Sequence, residues 1–496
     1  ALRSRAARRE SLRIELVDNM PGVCTSVGSQ VVVSDVDNTK YRYTCNADDV
    51  ASADEVAYLR EITARAIALV QDTFYVWREA GGVTHGELVP AECGYAARPA
   101  GTVRDADFVV TAAASPYFGT RRSQTAASAR ACQFNAQDKR PIVGELNYNL
   151  VVLRTRRRTA RELGVDEYDA SVTVAVHELM HALGFSSGLM GTYVDAATGD
   201  AVPQSDVVRG NRVVTPKALA AARDFAACAT LDGVLLEKVG GGGGGDGVGS
   251  HWSEEVYPES VMSPKAGSST LDKFDAITLA FFEDMGWYVT DRRRAQTMNF
   301  GLASGCRQRG RSCSTLPADV CENTDTNYRQ CTGDRLGYGG CGDVDTVAGT
   351  CRRTRMYNEC SRSVAIDDEP YEEKGADSRC MYSTVVRRGY RRSTATPRCF
   401  PTRCVGTLRR TVEVKVDGNW YSCGSDDRVE SINNANGYVQ CPPADECCSA
   451  ACDAAITAGR ATRCVLGACV CADGYHGADC NQQYDAPVVS TFDYRS

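Results

Sequence analysis

Two histidines stand four residues apart in "VAVHELMHALGF" (174–185), His177 and His181, with Glu178 between them. On a helix this spacing sets both imidazoles on one face, one turn apart, where they can share a metal ion. A catalytic zinc takes three protein ligands and keeps a fourth position for water, so the pair needs a third ligand. The chain has 5 histidines. His85 lies in the turn-like "GGVTHGEL" and His476 in the cysteine-rich "GYHGADC"; both read as structural or surface residues. That leaves His251, directly after a glycine run, in "GSHWSEEVYPESVMSP". Two carboxylates, Glu237 and Glu254, compete for the same role. Glu178, beside His177 but turned toward the open site, has the position of a general base for a zinc-activated water.

Gly184 follows His181 by three residues and can adopt φ > 0, ending the helix in a sharp turn. H-E-x-x-H-x-x-G is the front of the metzincin motif, whose third His follows after two more residues. Ser187 occupies that position here, so the ligand has to come from beyond an insertion, at His251. Met262 in "VMSP" is then placed for the Met-turn that underlies such a site without binding its metal. Tyr257, near that turn, reads as structural.

The helix bearing the histidines, "VDEYDASVTVAVHELMHALG", needs a scaffold. A strand over 12–17, a capped helix over 52–77 and strands over 105–114 and 141–153 precede it; a helix over 269–286 follows. The Gly in "PIVGELNYNL" suggests a bend, and this strand is a candidate edge for pairing with an extended substrate backbone. The pattern predicts an α+β fold, a twisted sheet with long helices packed on it. Five segments are expected: 1–184 with the histidine helix, 185–300 with the third ligand and Met-turn, a cysteine-rich 301–446, an EGF-like module over 447–482 and a tail over 483–496.

Composition narrows the function classes. The net charge is −7 over 496 residues, with no global basic field for nucleic acid. The basic clusters "RSRAARR", "LRTRRRTAR" (153–161) and "RRGYRRS" (387–393) read as solvated faces or processing remnants, with an acidic partner as the alternative. Of 24 cysteines, 19 follow residue 300, which indicates an oxidising compartment and a disulfide-stapled end. Expected pairs are Cys24–Cys45, Cys93–Cys132 and Cys228–Cys306. No apolar run is long enough to span a membrane. The start at Ala1, without Met or an apolar leader, suggests a processed secretory form. The C-terminus lacks the hydrophobic tail of a lipid anchor, and N-x-[ST] is absent.

"HELMHALGFS", "GGGGGGDGVGSHW", "VMSPKAG" and "ITLAFFEDMGWY" together resemble the leishmanolysin family of metzincins, over about residues 12–350. The insertion before the third His is that family's departure from other metzincins. The resemblance implies a zinc endopeptidase with one catalytic Zn2+, a cleft between the N-terminal and central subdomains, an apolar S1′ pocket and broad protein substrates. It also implies a zymogen with an inhibitory cysteine in its propeptide, and a secreted or surface-anchored location. The EGF-like end departs from the best-known members. With the cysteine-rich region, it could engage a cell-surface or matrix partner. The rival reading is an adhesion protein whose zinc site is structural, closed by a fourth protein ligand.

Overall fold

The structure, a computed structural model, describes residues 8–34, 40–78, 106–116, 125–162, 167–238, 248–264, 273–306, 321, 329–333, 335–346, 349–361, 371–375, 377–405, 411–423, 428–430, 432–444, 448–465 and 468–487. His85, the expected Cys93–Cys132 pair, most of the glycine run and the end of the tail lie outside the described residues.

β1 (Arg8–Ser11) and β2 (Ile14–Asp18) precede a hairpin of β3 (Gln30–Ser34) and β4 (Lys40–Thr44), flanked by the expected Cys24–Cys45 disulfide. α1 (Ala53–Thr73) starts at the predicted capping box: Ser52 Oγ accepts from the Glu55 N–H at 3.2 Å, and the Glu55 carboxylate accepts from the Ser52 N–H at 2.8 Å. Its buried Val56, Leu59, Ile62, Ala66 and Val70 recur at helical spacing. The helix does not reach Trp77, however. At Phe74 the chain becomes extended as β5 (Phe74–Arg78), because Phe-Tyr-Val-Trp is an aromatic and β-branched run suited to pleated backbone. β5 pairs with β1 on one side and with residues 288–290 on the other.

β6 (Phe108–Ala113), β7 (Ala127–Phe134) and β8 (Pro141–Tyr148) join β2 in a sheet of order β2-β6-β8-β7. β2, β6 and β8 run parallel; β7 is antiparallel. Two expectations need correction here. The predicted strand over 141–153 stops at Tyr148. There α2 (Leu150–Glu162) begins, with the Asn149 carbonyl accepting from the Leu153 N–H at 3.0 Å. Leu150 and Leu153 are apolar in either conformation, so their pattern alone does not decide. The second correction is that β8 lies inside the sheet, and the edge belongs to β7.

Arg154 of α2 clasps Glu55 through two nitrogens, at 2.6 and 2.9 Å, and holds that carboxyl down to about 2. α3 (Glu167–Leu183) packs against α1, β7 and β8. A Cβ on Gly144 of β8 would lie 2.7 Å from the Phe108 ring and 3.1 Å from Ala182. This glycine therefore brings the helix close to the sheet rather than bending the strand.

Past Gly184 come α4 (Gln204–Val207), β9 (Val208–Arg209), β10 (Arg212–Val213), α5 (Pro216–Ala226), β11 (Val234–Lys238) and β12 (Val248–Trp252). The four strands form an antiparallel sheet of order β12-β11-β10-β9. α6 (Ala276–Asp284) is shorter than the predicted 269–286. It begins after Asp275, whose carboxylate accepts from the Thr278 N–H at 2.9 Å. β13 (Tyr288–Thr290) closes on β5.

One apolar core runs from Leu12 to Met298. The Cys228–Cys306 disulfide, as expected, ties it to the segment that follows. Removing that bridge as C228S/C306S should cost about 2–5 kcal/mol, read as a lower midpoint of denaturant unfolding; an unmoved midpoint would mean the bridge constrains nothing. Further on, a six-stranded sheet surrounds a second core of Met381, Phe400, Val414 and Val439. Residues 452–480 hold a small cluster built on Cys452–Cys469 and Cys471–Cys480. The fold is thus mixed helix and sheet with many disulfides. No helix among the described residues is long and apolar enough to cross a membrane.

Candidate metal centre

α3 buries Val174, Ala175, Leu179, Met180 and Leu183; the remaining face carries His177 and His181 one turn apart. The helix ends at Gly184, whose φ is +139°. A side chain there would also press on Trp287 and Met285, at 3.0 and 3.1 Å. The turn brings the Phe185 N–H onto the Met180 carbonyl at 3.0 Å and swings the Phe185 carbonyl back toward the helix. His181 Nδ1 donates to that carbonyl at 2.6 Å.

His251 arrives on β12 from the far side of the insertion. Its strand is tied to Ser187, where the shorter motif would have placed a histidine. The Ser187 N–H donates to Ser250 Oγ at 3.1 Å, and Ser250 Oγ donates to Ser187 Oγ at 3.1 Å. His251 Nδ1 donates to Glu237 Oε1 of neighbouring β11 at 2.6 Å. Glu237, a rival third ligand in the sequence, therefore stands behind His251. Glu254 is not part of the histidine cluster.

The third support is the turn at Met262. His177 Nδ1 donates to the Val261 carbonyl at 2.6 Å. The turn is fixed from below: Met262 N–H donates to Ser260 Oγ at 3.1 Å, Ser260 Oγ to Asp275 at 2.6 Å, and the Trp252 N–H to the Met262 carbonyl at 2.9 Å. Asp275 thus caps α6 and braces the turn together. Met262 is fully buried, and Tyr257 is buried between the rings of Trp252 and Phe225.

With every Nδ1 engaged, the three Nε2 atoms face one another at 3.0–3.1 Å. Burial, and then the neighbouring imidazoles, hold His177 well below the usual range and His181 down to about 3. His177 and His181 are therefore neutral, and with their Nδ1 protons engaged their Nε2 lone pairs converge with the Nε2 of His251. A cation resolves that arrangement, and a tetrahedral ion about 2.0–2.1 Å from each nitrogen would space them about 3.3 Å apart. Among the described residues no fourth His, Cys, Asp or Glu joins the cluster.

Glu178 is buried beside the cluster, and burial raises its carboxyl to about 8 against a hydrogen bond from the Ala129 N–H of β7. The roles of Glu237, Val261, Phe185 and Ala129 as partners are not legible in the sequence. Three of these act through backbone groups, which any side chain can supply. Only Gly184, by forcing the turn at Phe185, left a local signal.

The leishmanolysin family profile matches residues 5–349. The chain belongs to the leishmanolysin family. Members of this family are metalloendopeptidases, so a metal ion is the expected occupant of the histidine triad. A leishmanolysin of Leishmania major is 27% identical over 490 residues, covering 88% of this chain and 75% of its own length. A leishmanolysin homolog of Crithidia fasciculata is 26% identical over 479 residues, 86% of this chain and 68% of its own. A ciliated left-right organizer metallopeptidase of Danio rerio is 28% identical over 327 residues, 63% of this chain; the chain spans 50% of that relative's length.

Proposed function

We propose that this chain is a zinc endopeptidase acting on extracellular or surface proteins, with His177, His181 and His251 as the metal ligands and Glu178 as the catalytic base. The observation that carries the reading is the convergence of three Nε2 atoms, each on a ring whose Nδ1 is anchored. Zinc bound there supplies Lewis acidity, polarising a carbonyl and acidifying a water from a pKa of about 15.7 toward about 7.

The protein's own residues do the rest. With a cation on the histidines to favour its ionised form, Glu178 takes the water proton at its carboxylate and passes it to the departing amine, acting as base and then acid. The Ala129 N–H holds that carboxylate at the margin of β7, so base and sheet edge adjoin. An extended substrate segment can add to this edge as a further strand, with main-chain hydrogen bonds giving affinity. Glu237, Val261 and Phe185 fix the three rings, as outer partners of metal-binding histidines do.

The finer architecture belongs to the same proposal: a metzincin-type catalytic part over 1–300 with its Met-turn, a cysteine-rich region over 301–446, an EGF-like module over 447–482 and a tail. The adhesion-protein reading needs a site closed by a fourth protein ligand. The three-histidine cluster of the described residues favours the open, catalytic alternative.

Hydrolysis of an unfolded protein substrate should stop on chelation and return on zinc addition; folded, zinc-loaded protein with no activity would defeat the proposal. Glu237→Ala should weaken zinc binding about 10–100-fold by chelator competition, and unchanged affinity would show that His251 is held by something else.

A further inference from the structure

One basic cluster, "RRGYRRS" (387–393), plays no part in this chemistry. The sequence from Ser378 to Val412 holds nine arginines, no lysine and no carboxylate, in a chain of net charge −7. The structure gives this imbalance a shape. Val386 and Arg387 pair with Asn436 and Ala435. The Tyr390 N–H then donates to the Arg387 carbonyl at 3.0 Å, closing a tight turn. Asn436 Nδ2 donates to the Tyr390 carbonyl at 3.0 Å and fixes the turn from its other side.

Arg387, Arg388 and Arg391 are all exposed on this tip, and the Tyr390 ring between them is 69% exposed. Ion pairs elsewhere in the cysteine-rich region are Arg403–Glu413 and Lys415–Glu373. None among the described residues engages Arg387, Arg388 or Arg391. Like charges gathered on a fixed turn repel one another, and an external anion would relieve that repulsion.

We infer that the 387–391 turn is a docking surface for a sulfated polysaccharide chain. Three features select that partner. The cations are all arginine, whose planar fork matches an oxyanion through two parallel hydrogen bonds where lysine acts as a point charge. The turn is braced by backbone and side-chain bonds, so little ordering is needed on binding. Disulfides crowd this region, which assigns it to an oxidising compartment. Anionic lipids concentrate on the cytoplasmic leaflet, away from such a surface. Association by this route is ionic and weakens with salt.

The test uses the whole chain and heparin as probe. Heparin should bind in a salt-dependent manner, and R387S/R388S/R391S should weaken binding at least tenfold while leaving peptide hydrolysis unchanged. A control removing three exposed arginines elsewhere, R60S/R65S/R158S, should bind as before. Equal loss in that control would reduce the effect to overall charge and overturn the inference. So would undiminished binding by the turn variant, or binding to phosphatidylserine vesicles in preference to heparin. Peptide hydrolysis is measured apart from heparin binding, so failure of one proposal is distinguishable from failure of the other.

Discussion

Glu178→Ala should leave zinc content and fold unchanged and remove nearly all peptidase activity. General acid–base catalysis contributes about 10²- to 10⁴-fold, or about 3–5 kcal/mol of barrier, and Glu178 is asked to act in both directions of proton transfer. The other carboxylate at the centre, Glu237, is bound to His251 Nδ1 on the side away from the converging Nε2 atoms. The fold should tolerate the change. Alanine is the best helix former, and removing a buried carboxyl removes its desolvation cost. The Ala129 N–H does lose its acceptor. Glu178→Gln, which keeps an acceptor for that N–H, separates the two effects: loss of activity in both variants identifies the proton transfer. Ordinary turnover with full zinc in either one would assign the base elsewhere.

The second large effect is loss of metal from His251→Ala. This change deletes one of three converging nitrogens and strips Glu237 of its imidazole donor, leaving it the Ser250 N–H. Two ligands one turn apart remain on α3, and two do not make a stable tetrahedral site. The loss of affinity should therefore exceed the about 10–100-fold of an outer-partner change. Zinc stoichiometry after dialysis, with hydrolysis measured in parallel, reads the result. Full retention of zinc would move the third ligand to another residue.

The two ends of this site were unequally legible. His177, Glu178 and His181 announce themselves because helical periodicity converts a four-residue spacing into a shared face. His251 was found by elimination among few histidines, aided by the Gly184 turn and Met262, and the structure brings it to the other two. Its support by Glu237 was out of reach: that contact depends on β11 pairing with β12 across the glycine run, a register that no local pattern encodes. Elements were legible where periodicity and capping agreed, as at Ser52 and Glu55. They failed where an apolar run suits either conformation. Phe74–Trp77 continues a helical pattern yet pairs as a strand, and Leu150–Leu153 continues a strand yet begins a helix. The placement of β8 inside the sheet likewise follows from β7, a strand whose mixed Ala, Ser, Arg and Gln residues give no clear strand pattern.

The ties around His251 bear on how the centre behaves when its metal is taken away. Ser187 holds Ser250 of β12 at the exit of α3, Glu237 of β11 holds His251, and Val261 and Phe185 hold the other two rings. Each ring is thus oriented by a protein partner on its outer nitrogen. Small zinc modules whose sites exist only when loaded unfold under chelators. This domain, with its core running from Leu12 to Met298, is built to survive the same treatment intact. A metal held there would be exchangeable cargo on a lasting frame, and inactivation by chelation should be a reversible pause rather than a denaturation.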